Sequence, residues 1–462
     1  MSEKSETERS QEETNEGRDT TMRAEPRNLL WALGVLVAVL GSQPASAQVL
    51  IQCPCDKNAD GDCEDIKTNG PPASRYDEPD LAATLGVQCM HLSGGDGFGT
   101  MADGKLQYLF SFSDLTGVPE KDAMTAGTLA AALPAPLIAV DQGMEFYLTM
   151  TNVGMLIRPD LFDPHTVHFH GFPNASSVFD GVPDASVSIN MGASITYYYN
   201  LVEPGTFMYH CHVEATEHMQ MGMLGNLYVR PIQNRLPDLT PLGSHVHSNP
   251  DYDPVLGLDD PLVGDKYVYN DGDGSTRYDV EKAIQLGGFD PEFHDASLLV
   301  QPLPFAMMWD RYPMLNGRGY PDTVNPDPLP ATAESGIESQ VESSLITATA
   351  GDKILLRLSN LNITVNHNLI SPSIPMTVVG IDSRELRSAD GTTPLHYNAN
   401  SVKLGGGMSA DVILDTNGVD GLPDTADDVA PGTYYLYAAN LNYLSNYNED
   451  FGGMMTEIVI NP

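Results

Sequence analysis

The segment Gly205–Leu224 places His210, Cys211, His212 and His218 within twenty residues, with Met208, Met219, Met221 and Met223 among them. Thiolate, imidazole and thioether are soft or borderline donors, a set that suits copper rather than hard cations. Read as a strand through Thr206 to His212, side-chain alternation puts His210 and His212 on one face and Cys211 on the other. A loop then carries His218 and, five residues on, Met223, and can fold both back beside Cys211. One thiolate, two imidazoles and a weak axial thioether make a blue copper site, so the segment is one imidazole short.

Upstream, Asp163-Pro-His-Thr-Val-His-Phe-His-Gly171 offers it. His168 and His170 share a face, while His165 stands at odd spacing to them. On that parity His165 joins Cys211, and His168 and His170 join His210 and His212. Neither segment has the spacing of a zinc finger or a zinc-protease helix. The pair H-x-x-H-x-H-G and H-C-H resembles the signature of the multicopper oxidase family, built from tandem cupredoxin domains. The resemblance implies that His165, Cys211, His218 and Met223 bind type 1 copper, which accepts electrons from a reductant. It also implies that His168, His170, His210 and His212 are this domain's half of a type 2/type 3 copper cluster that reduces oxygen. The step from Cys211 to His218 is two residues longer than in most laccase-like members, and the step from His218 to Met223 matches theirs. Asp163 and Glu214 lie beside the ligands, either to orient them and deliver protons or as solvated loop carboxylates.

These ligands need a scaffold. The 462 residues suffice for two or three domains, and frequent Gly, Pro, Tyr, Val and Thr without amphipathic patterning indicate an all-β chain. We expect two tandem cupredoxin-like Greek-key β-sandwiches behind a disulfide-containing N-terminal extension. In the first, residues 101–231, strands are expected at Leu106–Ser113, Leu137–Asp141, Glu145–Asn152 and Ser194–Asn200, followed by the H-C-H strand. Residues 48–100 form a Cys- and Asp-rich segment ahead of it. Residues 232–264, rich in Pro, Gly and Asp, are expected to be a linker with His245 and His247 solvated, because metal ligands need rigid support. The second sandwich, residues 265–462, should use Lys266–Tyr269, Lys353–Asn360, Met376–Gly380, Ser401–Leu404 and Gly432–Tyr437. Gly432-Thr-Tyr-Tyr-Leu-Tyr-Ala-Ala439 repeats the outline of Gly205-Thr-Phe-Met-Tyr-His-Cys-His212, which indicates duplication.

Near the start, Arg23 and Arg27 precede the apolar run Leu29–Leu40 and the small-residue stretch Ser42–Ala47. Residues 1–47 are therefore expected to be a signal peptide with a polar extension, since the run is too short to span a bilayer. An exported protein, periplasmic or extracellular, follows. There Cys53, Cys55, Cys63 and Cys89 would pair; of the three pairings, Cys53–Cys89 with Cys55–Cys63 is the expected one. Asp56, Asn58, Asp60 and Asp62 alternate in a run that can wrap calcium, although Lys67 stands where an EF-hand needs a bidentate Glu. A second Asp-rich run, Asp415–Asp428, has the same character. The net charge of −39 repels phosphates, which argues against nucleic acid or an anionic membrane surface as partner and favours cations or a basic protein. The same charge also serves solubility alone.

The repeat fails where the chemistry lies. Tyr437, Ala438 and Ala439 stand in place of the H-C-H segment, and Asn366–Ser373 carries one histidine, His367. Half of the family's usual cluster histidines are missing. Three functions remain open. The first is a laccase-like oxidase, its cluster completed across a homo-oligomer, taking electrons from a small molecule, metal ion or redox protein and passing them through Cys211 towards oxygen. The second is a copper nitrite reductase-like enzyme, with type 2 copper held by His170, His210 and a neighbouring copy's His294, His367 or His396. The third is a blue-copper carrier or copper-binding protein without catalysis. The first is preferred because both H-x-H pairs are complete. Methionines other than Met223 are expected to fill the core.

Overall fold

The computed structural model describes residues 49–54, 86–173, 175–250, 264–418, 421–423, 425–426 and 428–462. The expected signal segment, the calcium run Asp56–Asp62 and the Cys55–Cys63 pair lie outside the described residues.

Runs of β-branched and aromatic residues form eight strands in the first sandwich. They are β1 Gly86–Thr100, β2 Leu106–Asp114, β3 Ala135–Asp141, β4 Met144–Gly154, β5 His168–His170, β6 Ser194–Asn200, β7 Gly205–His210 and β8 Leu224–Arg230. One sheet runs β2-β1-β4-β6 and the other β3-β8-β7-β5. Alternate side chains from both meet in one core, with Leu92, Phe110, Phe146 and Leu148 from the first and Ile138, Phe169, Phe207 and Leu227 from the second.

The second sandwich repeats this plan. Its strands are β13 Val280–Phe289, β14 Tyr312–Leu315, β15 Ile346–Thr349, β16 Lys353–Asn360, β17 His367–Ile370, β22 Met408–Asp415, β23 Gly432–Ala438 and β24 Met455–Asn461. Four more are inserted, β18 Met376–Ile381, β19 Arg384–Glu385, β20 Tyr397–Ala399 and β21 Ser401–Leu404. One sheet runs β14-β13-β16-β22-β18-β19, with β20 on β18, and the other β15-β24-β23-β17-β21. The parallel pairs β1 with β4 and β3 with β8 recur as β13 with β16 and β15 with β24.

Several expectations need correction. The first sandwich begins at Gly86, not after residue 100, because β1 pairs with both β2 and β4. Its glycines, which argue against a strand by propensity, sit where neighbours leave no room: a Cβ on Gly94 would meet Met150 Cε at 2.4 Å and His165 Cδ2 at 3.1 Å. The Cys53–Cys89 disulfide is present and fastens the preceding segment to β1.

Described parts of the expected linker are packed rather than solvated. β9 Pro241–Leu242 pairs with β10 His245–Val246. Beyond the linker, the strand expected at Lys266–Tyr269 is the shorter β11 Lys266–Tyr267, which pairs with β12 Arg277–Tyr278 in a sheet of two rather than joining the second sandwich. His247 is buried with Nδ1 bonded to the Tyr267 hydroxyl at 3.0 Å, and His245 Nε2 meets Asp265 Oδ2 at 2.8 Å.

The two sandwiches meet along β7. Arg357, fully buried, lies 4.4 Å from the centre of the Tyr228 ring and pairs with Glu281 at 2.9 Å and Asp411 at 3.5 Å. Asp411 also accepts from Thr206 Oγ1 and the Tyr269 hydroxyl, so the buried charge is compensated on several sides. Met208 and Leu224 pack on Leu361, which leaves every residue of β7 buried.

Candidate metal centre

The H-C-H strand ends at His210, one ladder step before the cysteine, and the expected loop is the helix α2 Ala215–Met221, which among the described residues follows α1 Glu120–Ala126. Glu214 opens α2 in a left-handed conformation and Gly222 ends it. The long step from Cys211 to His218 is spent on this helical turn. Met223 N then donates to His218 O at 2.8 Å and Cys211 N to Met223 O at 3.1 Å, which brings all three residues together. His165 arrives from the other side, its backbone bonded to Ile189 in both directions.

The result is a closed, dry cluster. Cys211, His165, His218 and Met223 are all 0% exposed, so no water competes for their donor atoms. Cys211 Sγ lies 3.3 Å from His218 Nδ1 and 4.0 Å from His165 Nδ1, and Thr166 N donates to the sulfur at 3.5 Å. Burial holds the His165 imidazole well below its usual pKa. For His218 burial also opposes the charged ring, but Cys211 and the Asp163 carboxylate, 3.7 Å from Nε2, push it up to about 10 in the metal-free protein. Asp163 thus stands behind a ligand ring, whereas Glu214 is exposed. Glu217, which the spacing argument passed over, is raised to about 7 by burial, with Glu214 and Asp163 adding to the effect.

On the opposite face of the same segment, four imidazoles converge. Ring centres of His168 and His210, and of His168 and His212, are 5.2 Å apart, and His210 and His212 stack at 5.5 Å. His168 Nδ1 is engaged by the Asp180 carbonyl at 2.5 Å and His210 Nδ1 by the Cys211 carbonyl at 2.8 Å, which leaves each Nε2 as the ligating atom, that of His210 lying 3.4 Å from His170 Nδ1. Burial lowers the pKa of His170 and brings that of His210 down to about 3, so both rings are neutral donors at ordinary pH. One nitrogen each from His168, His170 and His210 lies within 4.8 Å of the others; His212 is not part of that tightest set.

These rings line an open pocket of about 590 Å³ whose far wall comes from the second sandwich: Leu361, Asn362, Thr364, Asn366 and Gly407 among others. Gly407 has φ +85°, and a Cβ there would lie 2.9 Å from His170 Nε2, so only glycine closes the wall at this point. Among the described residues, no histidine of the second sandwich lines the pocket. His294 is buried between the Tyr108 and Gln220 carbonyls, and His367 is buried beside Tyr443. Neither can be offered to a neighbouring copy, which corrects two of the three candidates for such a role. His396 lies 3.5 Å from Glu385 Oε1. Met208, Met219, Met221 and Met454 sit in or against apolar clusters. The wall residues of the second sandwich carry no local signal and emerge only from the fold.

Comparison with known proteins finds similarity in sequence over part of the chain and in fold over most of it. A family model described as multicopper oxidase matches residues 116–234. The chain is 33% identical over 97 residues to the multicopper oxidase MmcO of Mycobacterium tuberculosis, and 30% identical over 122 residues to the laccase abr2 of Aspergillus fumigatus. Those alignments cover 21% and 26% of this chain and 17% and 19% of the relatives, so the match spans less than a fifth of their length. The blue copper oxidase of Nitrosomonas europaea superposes with a TM-score of 0.53 at 21% identity, covering 80% of this chain and 85% of that one. The multicopper oxidase mgLAC gives 0.53 at 20% identity with the same coverage.

Proposed function

We propose that this chain, whose residues 116–234 match the multicopper oxidase family model, is an exported copper-dependent oxidoreductase of that family, with type 1 copper held by His165, Cys211, His218 and Met223. His168, His170, His210 and His212 would hold type 2/type 3 copper. Bound copper supplies one-electron exchange at the thiolate set and reduction of a small acceptor at the imidazole set. The observation that carries this reading is the convergence of two donor sets on opposite faces of one segment, joined by the single peptide links between His210, Cys211 and His212.

This chain's residues divide the work. The thiolate set is buried and excludes water, so its partner is reached only through its protein surroundings. Asp163 supports the His218 ring from behind. Cys211 and its flanking histidines give a covalent route from one set to the other. The open pocket admits an acceptor, and oxygen is the one that four convergent imidazoles favour. Since the second sandwich adds asparagine and threonine rather than histidine, a three-copper cluster would need a second copy of the chain. The reductant is a small molecule, a metal ion or a redox protein. The disulfide is in keeping with an oxidising compartment. Calcium at Asp56, Asn58, Asp60 and Asp62 remains a proposal of the sequence alone.

A second reading rests on the three nitrogens of His168, His170 and His210, which alone suffice for a single type 2 copper within one chain. That arrangement would suit a one-electron acceptor such as nitrite. Metal analysis with optical and spin-resonance spectra, followed by oxygen uptake with a phenolic donor, tests both. The first reading expects blue absorption, an oligomer richer in copper than two per chain at its shared site, and oxygen consumption. Two coppers per chain with nitrite turnover supports the second. A monomer with one copper and neither activity overturns both.

A further inference from the structure

We propose that Asp310 is the acid that supplies protons to the histidine pocket, acting through the hydroxyl of Thr364. This rests on the reading above that a small acceptor is reduced there, and it holds for either acceptor, since both consume protons.

Asp310 lies just before β14 and is only 5% exposed. Its Oδ2 accepts from Asn362 Nδ2 at 2.5 Å and from Thr364 Oγ1 at 2.5 Å. Both partners belong to the pocket wall facing His168, His170 and His210. Its Oδ1 is buried without a hydrogen-bond partner among the described residues. Gln220 also faces this carboxyl, so the acid sits among the amides of Asn362 and Gln220 and the Thr364 hydroxyl, directly behind the pocket wall. Gly288 gives it space: a Cβ there would lie 2.9 Å from Oδ2. Beside it is a buried void of about 20 Å³ lined by Gln220, Gln285, Gly288 and Asn362, with room for about one water.

The charges around it do not stabilise an anion. Asp290 caps the third helix, α3 Pro291–Leu298, and accepts from Trp309 N, while Arg311 turns away to Glu292 at 2.9 Å. Burial raises the Asp310 carboxyl to about 6, and Asp290 adds to this against the bonds from Thr364, Asn362 and Gln220. In the acid form Asp310 gives its proton to Thr364 Oγ1, and that hydroxyl releases its own proton to the acceptor in the pocket. The carboxylate left behind keeps both hydrogen bonds until solvent returns a proton. No electron moves in this step.

The test uses the full chain and two variants, D310N and T364V. In copper-free protein, an infrared pH titration should show a carboxylic acid ionising near pH 6, lost in D310N and kept in T364V; its absence from the parent overturns the proposal. Loading the pocket with copper(II) should lower that midpoint by about one unit, as a nearby cation does; no shift also overturns it. This arm needs no turnover, so a protein that consumes neither oxygen nor nitrite fails the functional reading while leaving the relay judged by its spectrum. With turnover, the parent should slow as pH rises through 6, and both variants should lose that limb and about 100-fold in kcat with KM unchanged. Variants that keep the parent's pH profile refute the relay.

Discussion

The hairpins β7–β8 and β23–β24 share a register and differ in chemistry. Gly205 pairs with Val229 and His210 with Leu224, as Gly432 pairs with Ile460 and Tyr437 with Met455. Cys211 N donates to Met223 O at 3.1 Å, and Ala438 N to Met454 O at 2.9 Å. β5 lies on β7 as β17 lies on β23, with His168 opposite His210 and Ile370 opposite Tyr437. Counting back three residues from each, His367 takes the place of His165. The second sandwich thus keeps one histidine and one methionine of the first site, with Ala438 in place of Cys211. Where α2 brings in His218, it has the 3-10 turn Leu441–Tyr443, whose Tyr443 ring lies 4.9 Å from that of His367. The lesson is that ladder and core hold this scaffold without the ligand set. A buried histidine and methionine can persist as packing, and the thiolate and second imidazole make the difference.

The comparison can be broken or sharpened by substitution. The largest effect is expected from Cys211→Ser, which should abolish blue absorption and slow electron uptake more than about 100-fold, read by optical spectra and donor oxidation, while the melting temperature of the metal-free chain stays close to the parent's. Next, His170→Ala should lose copper from the imidazole set and keep the blue site, so spin resonance would retain only the type 1 signal. A milder change, Asp163→Asn, should weaken copper retention at the thiolate set about 10-fold in a chelator competition, because only the support behind His218 is removed.

The smallest effect on copper, none, is expected from His367→Leu. Its signature lies in stability instead. Burial holds His367 at about 4, below the 6.5 of an exposed ring. Between those values the unfolded chain binds more protons than the folded one, so the parent loses stability as pH falls from 6.5 towards 4, by up to about 3 kcal/mol. Denaturation of the variant should lack that slope. Copper lost in this variant would contradict the division between the two sandwiches.

The ligand sets were legible because strand parity is local: His210 and His212 against Cys211, and His168 and His170 against His165, follow from alternation alone. Strands such as Ser194–Asn200 and Lys353–Asn360 were legible from their β-branched and aromatic content. β1 was not, since its glycines answer to Met150 and Ala131 from elsewhere in the fold. The helix carrying His218 was hidden by its seven-residue length, too short for periodicity to register. Burial of His247 depends on Tyr267, twenty residues away. The wall of Asn362, Thr364 and Gly407, and Asp310 behind it, come from a second sandwich brought against the first, which no local pattern encodes.

Anomalous diffraction at the copper edge from copper-loaded crystals tests the central claim most directly. One peak should lie among Cys211 Sγ, His165 Nδ1, His218 Nδ1 and Met223, another among His168, His170 and His210, and none beside His367 and Met454. Copper at the second sandwich's counterpart, or a vacant thiolate set in fully loaded protein, would contradict the account.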